Sequence, residues 1–241
     1  MATIATQPQC TRVLGVPVHV CPDVLAAAID LQRAGGGQIV TLNAEMTMAA
    51  LADPALGAAI EAASLVIPDG SGVVWALGRQ GLRVRRSPGI ELAWSLLETA
   101  SRQGWRVALV GASEPVMDQL VARLKARLPE LQLVFHAHGY QRPDAWRELE
   151  RQLLASRPEL VLAALGVPRQ ETWIAGLGKR RQGLWMGVGG SFDVWAGVKQ
   201  RAPGWMSSLQ IEWLYRLLQE PQRWRRMLAL PAFAWAVLRG G

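Results

Sequence analysis

Arg106-Val-Ala-Leu-Val-Gly-Ala-Ser-Glu114 is a short apolar, β-branched run that ends at glycine and passes directly into a helical pattern. One such unit means little, but the pattern recurs along the chain. Runs that read as strands lie at Val16–Val20, Gln38–Asn43, Leu65–Pro68, Arg106–Val110, Leu131–His136, Glu159–Leu165 and Leu184–Val188. Between them, helical patterns cover Pro22–Ala34, Glu45–Ala63, Ile90–Gln103, Glu114–Leu128, Pro143–Ser156 and Gln170–Arg181. Strands separated by helices of this length imply βαβ units, hence an α/β fold of Rossmann-like type with a largely parallel sheet flanked by helices. Sheets of this kind bind ligands beyond the carboxyl ends of their strands.

The composition agrees. A chain of 241 residues, 50% hydrophobic and 19% charged, can bury a sizeable core and is not globally disordered. The formal net charge of +7 points to an anionic partner, without choosing among a phosphorylated ligand, a membrane face and nucleic acid. Cys10 and Cys21 lack metal-type spacing and read as reduced thiols. The opening MATIATQPQC has no basic region followed by an apolar stretch, so no signal peptide is read. No apolar run reaches the ~20 residues a spanning helix needs. The expected location is cytoplasmic, with attachment to a membrane left open.

The strand ends carry the chemistry. Thr41 and Asn43 are two apart and share a face of an extended strand, where both can bond a polar ligand; Asn43 can equally cap the next helix. Asp69 follows the strand at Leu65–Pro68 and precedes flexible glycines. Its carboxylate could take a proton from an attacking hydroxyl, or serve merely as a turn or cap residue. Gly111, Ala112 and Ser113 open a helix whose N-terminal N–H groups suit a diphosphate, or form only a tight turn. In Gly166-Val-Pro-Arg-Gln-Glu171, Arg169 can pair with phosphate and Gln170 can fix a hydroxyl or carbonyl, while Glu171 reads as a carboxylate favoured by the helix dipole. Gly189 and Gly190 let the backbone cradle an anion, or make a structural bend.

The character changes near the C-terminus. From Arg201 to Gly241 there are six arginines against two glutamates, with Trp205, Trp213, Trp224 and Trp235. The expected division is a catalytic α/β domain over residues 1–195 and a basic, tryptophan-rich helical appendage over 196–241. Arg216, Arg223 and Arg226 are spaced for roughly one helix face, although Pro221 interrupts it. Such a face attracts phosphates and anionic lipid. Met227–Leu238 is apolar apart from Pro231, too short to span but suited to an interface.

These blocks together resemble the WecG/TagA/CpsF glycosyltransferase family (glycosyltransferase family 26). The resemblance rests on T-L-N-A-E at Thr41–Glu45, P-D-G-S-G at Pro68–Gly72, H-G-Y at His138–Tyr140, G-V-P-R-Q-E at Gly166–Glu171, G-V-G-G-S-F-D at Gly187–Asp193, A-G-V-K-Q-R-A-P at Ala196–Pro203, and the run Glu212–Arg226. Pro68 stands where the family usually has alanine before the Asp-Gly pair. The resemblance implies inverting, metal-independent transfer of a sugar, commonly of N-acetylmannosamine type, from a UDP-sugar to an undecaprenyl-diphosphate-linked acceptor. It implies Asp69 as general base, with Thr41 and Gln170 at active-site positions; Asn43 joins them as a catalytic candidate on its strand-end position alone. Arg216, Arg223 and Arg226 would then meet the acceptor diphosphate or an anionic membrane. No cofactor is expected, no D-x-D triplet is present, and a second copy of the chain is admitted as a partner.

Two other functions compete. A non-catalytic nucleotide or nucleic-acid binding module would explain the charge, but no aromatic-rich β platform or recognition-helix signature is seen, so nucleic acid is not expected. A glycosidase would need two carboxylates, nominally Asp69 and Asp193.

Overall fold

The computed structural model describes residues 8–200, 202–203, 206, 212–219 and 224–240. The chain opens with a hairpin, β1 (Gln9–Val13) and β2 (Val16–Val20), then continues as α1 (Val24–Arg33), β3 (Gly36–Leu42), α2 (Ala44–Ala52), α3 (Pro54–Glu61) and β4 (Leu65–Pro68). There follow α4 (Ser71–Arg79), α5 (Gly89–Gln103), β5 (Arg106–Gly111), α6 (Glu114–Arg127), β6 (Gln132–Ala137), α7 (Pro143–Ala155), β7 (Leu160–Ala164), α8 (Arg169–Leu177), β8 (Gly183–Gly187) and α9 (Ser191–Trp195). Three more helices are described near the C-terminus: α10 (Glu212–Gln219), α11 (Trp224–Met227) and α12 (Ala229–Gly240).

Strands β3 to β8 form one six-stranded sheet in the order β4-β3-β8-β7-β5-β6, with every neighbouring pair parallel. The expected Rossmann-like architecture is therefore present. Both faces are buried, as a parallel sheet requires. Alternation along each strand divides the core: Ile39, Leu109, Leu162 and Met186 join the cluster under α1, α5, α6 and α9. On the opposite face, Val40 and Val66 pack with α2, α4 and the hairpin. Val110, Val161 and Trp185 pack there with α7 and α8.

Several boundaries differ from the sequence expectation, each for a local reason. Val16–Val20 lies outside the parallel sheet, paired antiparallel with the unforeseen strand β1. Leu14 and Gly15 both take positive φ, 52° and 81°, which is the two-residue turn that reverses a chain into a hairpin. His19 of this hairpin accepts a hydrogen bond at Nδ1 from Val66 N (2.9 Å), covering a backbone donor of the edge strand β4. Burial holds the His19 imidazole below its ordinary pKa, consistent with a neutral acceptor. The single helix expected over Glu45–Ala63 is two, because Pro54 has no N–H to continue α2 and Asp53 caps the new helix through Ala55 N and Leu56 N. Helix α4, also unforeseen, begins at Ser71 directly after the Asp69-Gly70 turn.

The C-terminal segment is joined to the core. In α12, Leu230, Phe233 and Val237 face inward, and Phe233 and Val237 are buried in the cluster shared with α2 and α4. A Cβ on Gly72 of α4 would lie 3.4 Å from the Phe233 ring, so glycine there lets the two helices approach. On the other side of α12, Trp235 and Leu238 are exposed, as is Leu228 just before it, with Arg239 stacked 4.3 Å over Trp235. No helix among the described residues is long and apolar enough to cross a membrane.

If α12 belongs to this core, Phe233→Ala should lower the unfolding free energy by about 3–5 kcal/mol, the usual cost of emptying a buried phenylalanine site. Urea denaturation checks this. A loss under about 1 kcal/mol would show that the helix is only laid against the surface.

Candidate active site

All six sheet strands end on the same side, and a cleft of ≈ 620 Å³ opens there over the ends of β4, β3, β8 and β7. That volume is within the usual range for small-molecule sites. Of the residues expected from the sequence, Thr41, Asn43, Asp69, Gly166, Gln170, Gly189, Gly190 and Arg226 line it. Gly111, Ala112, Ser113 and Arg169 do not. Arg223 and the side chain of Arg216 lie outside the described residues.

Asp69 is held from both sides. Its backbone N–H donates to Leu42 O (2.9 Å), fixing the end of β4 against β3. Its carboxylate Oδ1 accepts from Gly89 N (3.2 Å), the first residue of α5, where the helix offers an unpaired donor and a positive dipole end. Its carbonyl accepts from Arg86 Nε (2.6 Å). Thr41 packs against the same helix start: a Cβ on Gly89 would stand 2.7 Å from Thr41 Cγ2, so only glycine brings helix and strand this close. Asn43 caps α2, accepting from Met46 N at 2.9 Å, while still bordering the cleft.

Gln170 plays a different part from that expected of a ligand-binding side chain. It is 2% exposed, and its polar atoms bond within the protein. Oε1 accepts from both Gly166 N and Gly189 N (3.1 Å each), and Nε2 donates to Glu171 Oε1 (2.7 Å). Two backbone donors converging on one atom settle which end of the amide is oxygen. Glu171, read from sequence as a carboxylate favoured by the helix dipole, is in the first turn of α8 but 2% exposed. Burial pushes its carboxyl up to about 7, outweighing the hydrogen bond from Gln170 that would lower it.

The Gly111–Ser113 turn is occupied by packing. Ala112 N donates to Ala164 O (2.9 Å), Ala112 O accepts from Gly139 N (2.8 Å), and a Cβ on Gly111 would collide with the Ala164 backbone. Ser113 precedes α6 with no side-chain capping bond. Arg169 turns away from the cleft to donate to Gly139 O (3.3 Å) and stack 4.8 Å over Trp146.

Beside Arg226, which the sequence reading named, the lining includes residues that it passed over. Arg86, Lys199 and Arg226 bring positive charge to the lining, while Glu45 and Asp69 bring its carboxylates. Arg226 pairs with Glu45 (3.6 Å) and Lys199 with Asp193 (3.9 Å). Asp193, the nominal second carboxylate of a glycosidase, is not in the lining. Tyr215 and Gln219 bring α10 to the cleft, and Gln219 Nε2 donates to Gln200 O (3.3 Å). The cluster Arg83-Val-Arg-Arg86 before a Pro-Gly helix start was the available signal for Arg86. Among the described residues, no three His, Cys, Asp or Glu side chains group as metal ligands.

Comparison with known proteins agrees with this arrangement. The sequence model of the glycosyl transferase WecG/TagA/CpsF family matches residues 11–241. An N-acetylglucosaminyldiphosphoundecaprenol N-acetyl-beta-D-mannosaminyltransferase of Bacillus spizizenii (strain ATCC 23059 / NRRL B-14472 / W23) is 37% identical over 211 residues, covering 87% of this chain and 81% of the relative. A protein of the same description from Bacillus subtilis (strain 168) is 33% identical over 206 residues, covering 85% and 80%. The chain belongs to the WecG/TagA/CpsF family and is a glycosyltransferase.

The buried carboxyl gives a stability test. Between its ordinary value near 4.5 and about 7, the unfolded chain releases the Glu171 proton while the folded chain keeps it. Stability is then fully present below the unfolded value and is lost as pH rises, by up to about 1.4 kcal/mol per unit. Relative to Glu171→Gln, the unmodified protein should lose about 3 kcal/mol between pH 4.5 and pH 8, measured by urea denaturation. Parallel pH profiles for the two proteins would refute the assignment.

Proposed function

We propose that this member of the WecG/TagA/CpsF family is an inverting, metal-independent transferase that moves an N-acetylmannosamine-type sugar from a UDP-sugar to an undecaprenyl-diphosphate-linked N-acetylglucosamine. The observation carrying the reading is one carboxylate, Asp69, held in the cleft by a helix N-terminus with Arg86 beside it. The acceptor's identity is taken from what the two Bacillus relatives are named for.

In this mechanism Asp69 accepts the proton of the acceptor hydroxyl as that oxygen attacks the anomeric carbon from the face opposite UDP. The new C–O bond forms while the bond to the UDP oxygen breaks, and UDP departs with the electron pair, so the anomeric configuration inverts. Cationic side chains at the strand ends meet the charge on the departing diphosphate, and the glycines there let it come close to the backbone. Thr41, fixed against α5, stands on the acceptor side of Asp69. Gly166, Gly189 and Gly190 border the donor. Gly111–Ser113 and Arg169, the nucleotide-binding candidates of the sequence, lie outside the lining and are assigned no donor contact.

We assign residues 1–195 to catalysis and residues 196–241 to the acceptor and the membrane. Arg226 reaches the cleft from this segment, a position suited to an acceptor diphosphate. Arg216 and Arg223 are proposed to act with it. Among the described residues, seven exposed large apolar side chains lie here: Val198, Trp213, Leu218, Trp224, Leu228, Trp235 and Leu238. Such a concentration beside arginines fits an interfacial contact with anionic lipid, at the inner face of the plasma membrane.

Asp69→Asn should lower kcat by roughly 10²–10⁴-fold in a transfer assay with UDP-N-acetylmannosamine-type donors, leaving UDP affinity intact. Normal turnover by this variant, or no transfer by the unmodified protein from any UDP-sugar tried, would sink the reading. Separately, Trp235→Ser with Leu238→Ser should reduce co-sedimentation with anionic phospholipid vesicles at least about fivefold. Unchanged sedimentation would remove the membrane contact from the proposal.

A further inference from the structure

Gln170 bonds two cleft loops that are not neighbours in sequence. Gly166 follows β7, Gly189 follows β8, and the N–H of each points at the same carbonyl oxygen. Both glycines turn left-handed, with φ of 77° and 52°, and a Cβ on either would meet nothing within 4 Å. Their conformations are therefore set from below, through their amides, and open space lies above them. One amide oxygen is the shared anchor.

That oxygen serves only if the amide is turned the right way. Rotation by half a turn would aim an NH2 group at two N–H donors. Glu171 decides the orientation, because its Oε1 accepts from Gln170 Nε2 on the far side. The pair fits under β8 because residue 187 has no side chain: a Cβ on Gly187 would collide with Gln170 Nε2 and stand 2.8 Å from Glu171 Oε1. From the other direction, Gln38 of β3 donates to the Glu171 carbonyl (3.2 Å), tying the first turn of α8 to the strand that carries Thr41.

We propose that Glu171 is a positioning residue for the transfer reaction, orienting the Gln170 amide so that a single carbonyl clamps the Gly166 and Gly189 loops into the cleft floor. It touches neither donor nor acceptor. Its effect is preorganisation: loops held in place before a ligand arrives need not be ordered afterwards. The inference rests on the proposed function in assigning those loops to the UDP-sugar, but the clamp itself is a property of the free protein.

Two measurements on the full chain test it. Hydrogen-exchange mass spectrometry of the free protein reads the amides of Gly166 and Gly189. Calorimetric titration with UDP reads the site. Glu171→Leu, which removes the acceptor, should speed exchange in both segments at least about tenfold and weaken UDP binding by a similar factor. Glu171→Gln still presents a carbonyl oxygen to Gln170 and should restore both to within about twofold. Should Glu171→Leu fail to fold, Gly187→Ala displaces the pair while keeping both residues, and should accelerate the same two segments. Exchange unchanged in Glu171→Leu or Gly187→Ala, or Glu171→Gln behaving like Glu171→Leu, would overturn the proposal. Failure of the unmodified protein to bind UDP would count against the proposed function, leaving the exchange comparison to judge the clamp.

Discussion

In a parallel sheet the last backbone groups of every strand come out at one edge, and each must find a partner or a ligand. This fold meets that demand unevenly. Over β5 and β6, chain closes on chain, with Ala112 bonded to both Ala164 and Gly139. Over β4, β3, β8 and β7, side chains from below do the work, leaving space above. Asp69 is gripped by a helix start and an arginine, and the glycine loops by one glutamine. The cleft exists where the sheet is secured from beneath.

The C-terminal segment then contributes in two directions. Phe233 and Val237 complete the core on one face of the sheet, which fixes α12 against α2 and α4. With that helix fixed, Arg226 comes to the cleft and meets Glu45 in the first turn of α2. Helix α12, which carries the exposed Trp235 and Leu238, is thus rooted in the fold that shapes the site. Under the proposed function, binding at the surface and chemistry in the cleft would share that connection.

Much of this was legible in the sequence, because strand ends announce themselves. Thr41, Asp69, Gly166 and Gly189 each follow an apolar run, and a parallel sheet brings such positions to one edge whatever the strand order. What the sequence withheld was that order. The Gly111–Ser113 turn looks as suitable for an anion as Gly187–Gly190, yet β5 and β7 bring it against Ala164, where packing occupies it. Arg169 and Gln170 are adjacent in sequence but diverge by a helical step, one to Trp146 and one under the floor. Glu171 resembled an ordinary first-turn carboxylate because nothing local reveals that Gly187 leaves room for it. Arg86 was missed because its loop has neither helical nor strand periodicity, so its nearness to Asp69 depends on tertiary structure alone.

The two-sidedness of α12 also limits how such a protein could meet lipid. With Phe233 and Val237 committed to the interior, only the outer half of the cylinder, bearing Trp235 and Leu238, is available to acyl chains. A helix is about 10–12 Å across, so under the proposed membrane contact penetration would stop at about 5 Å, at the level of the glycerol backbone rather than the bilayer middle. Going deeper would require tearing open the hydrophobic interior, which makes the fold itself a depth gauge.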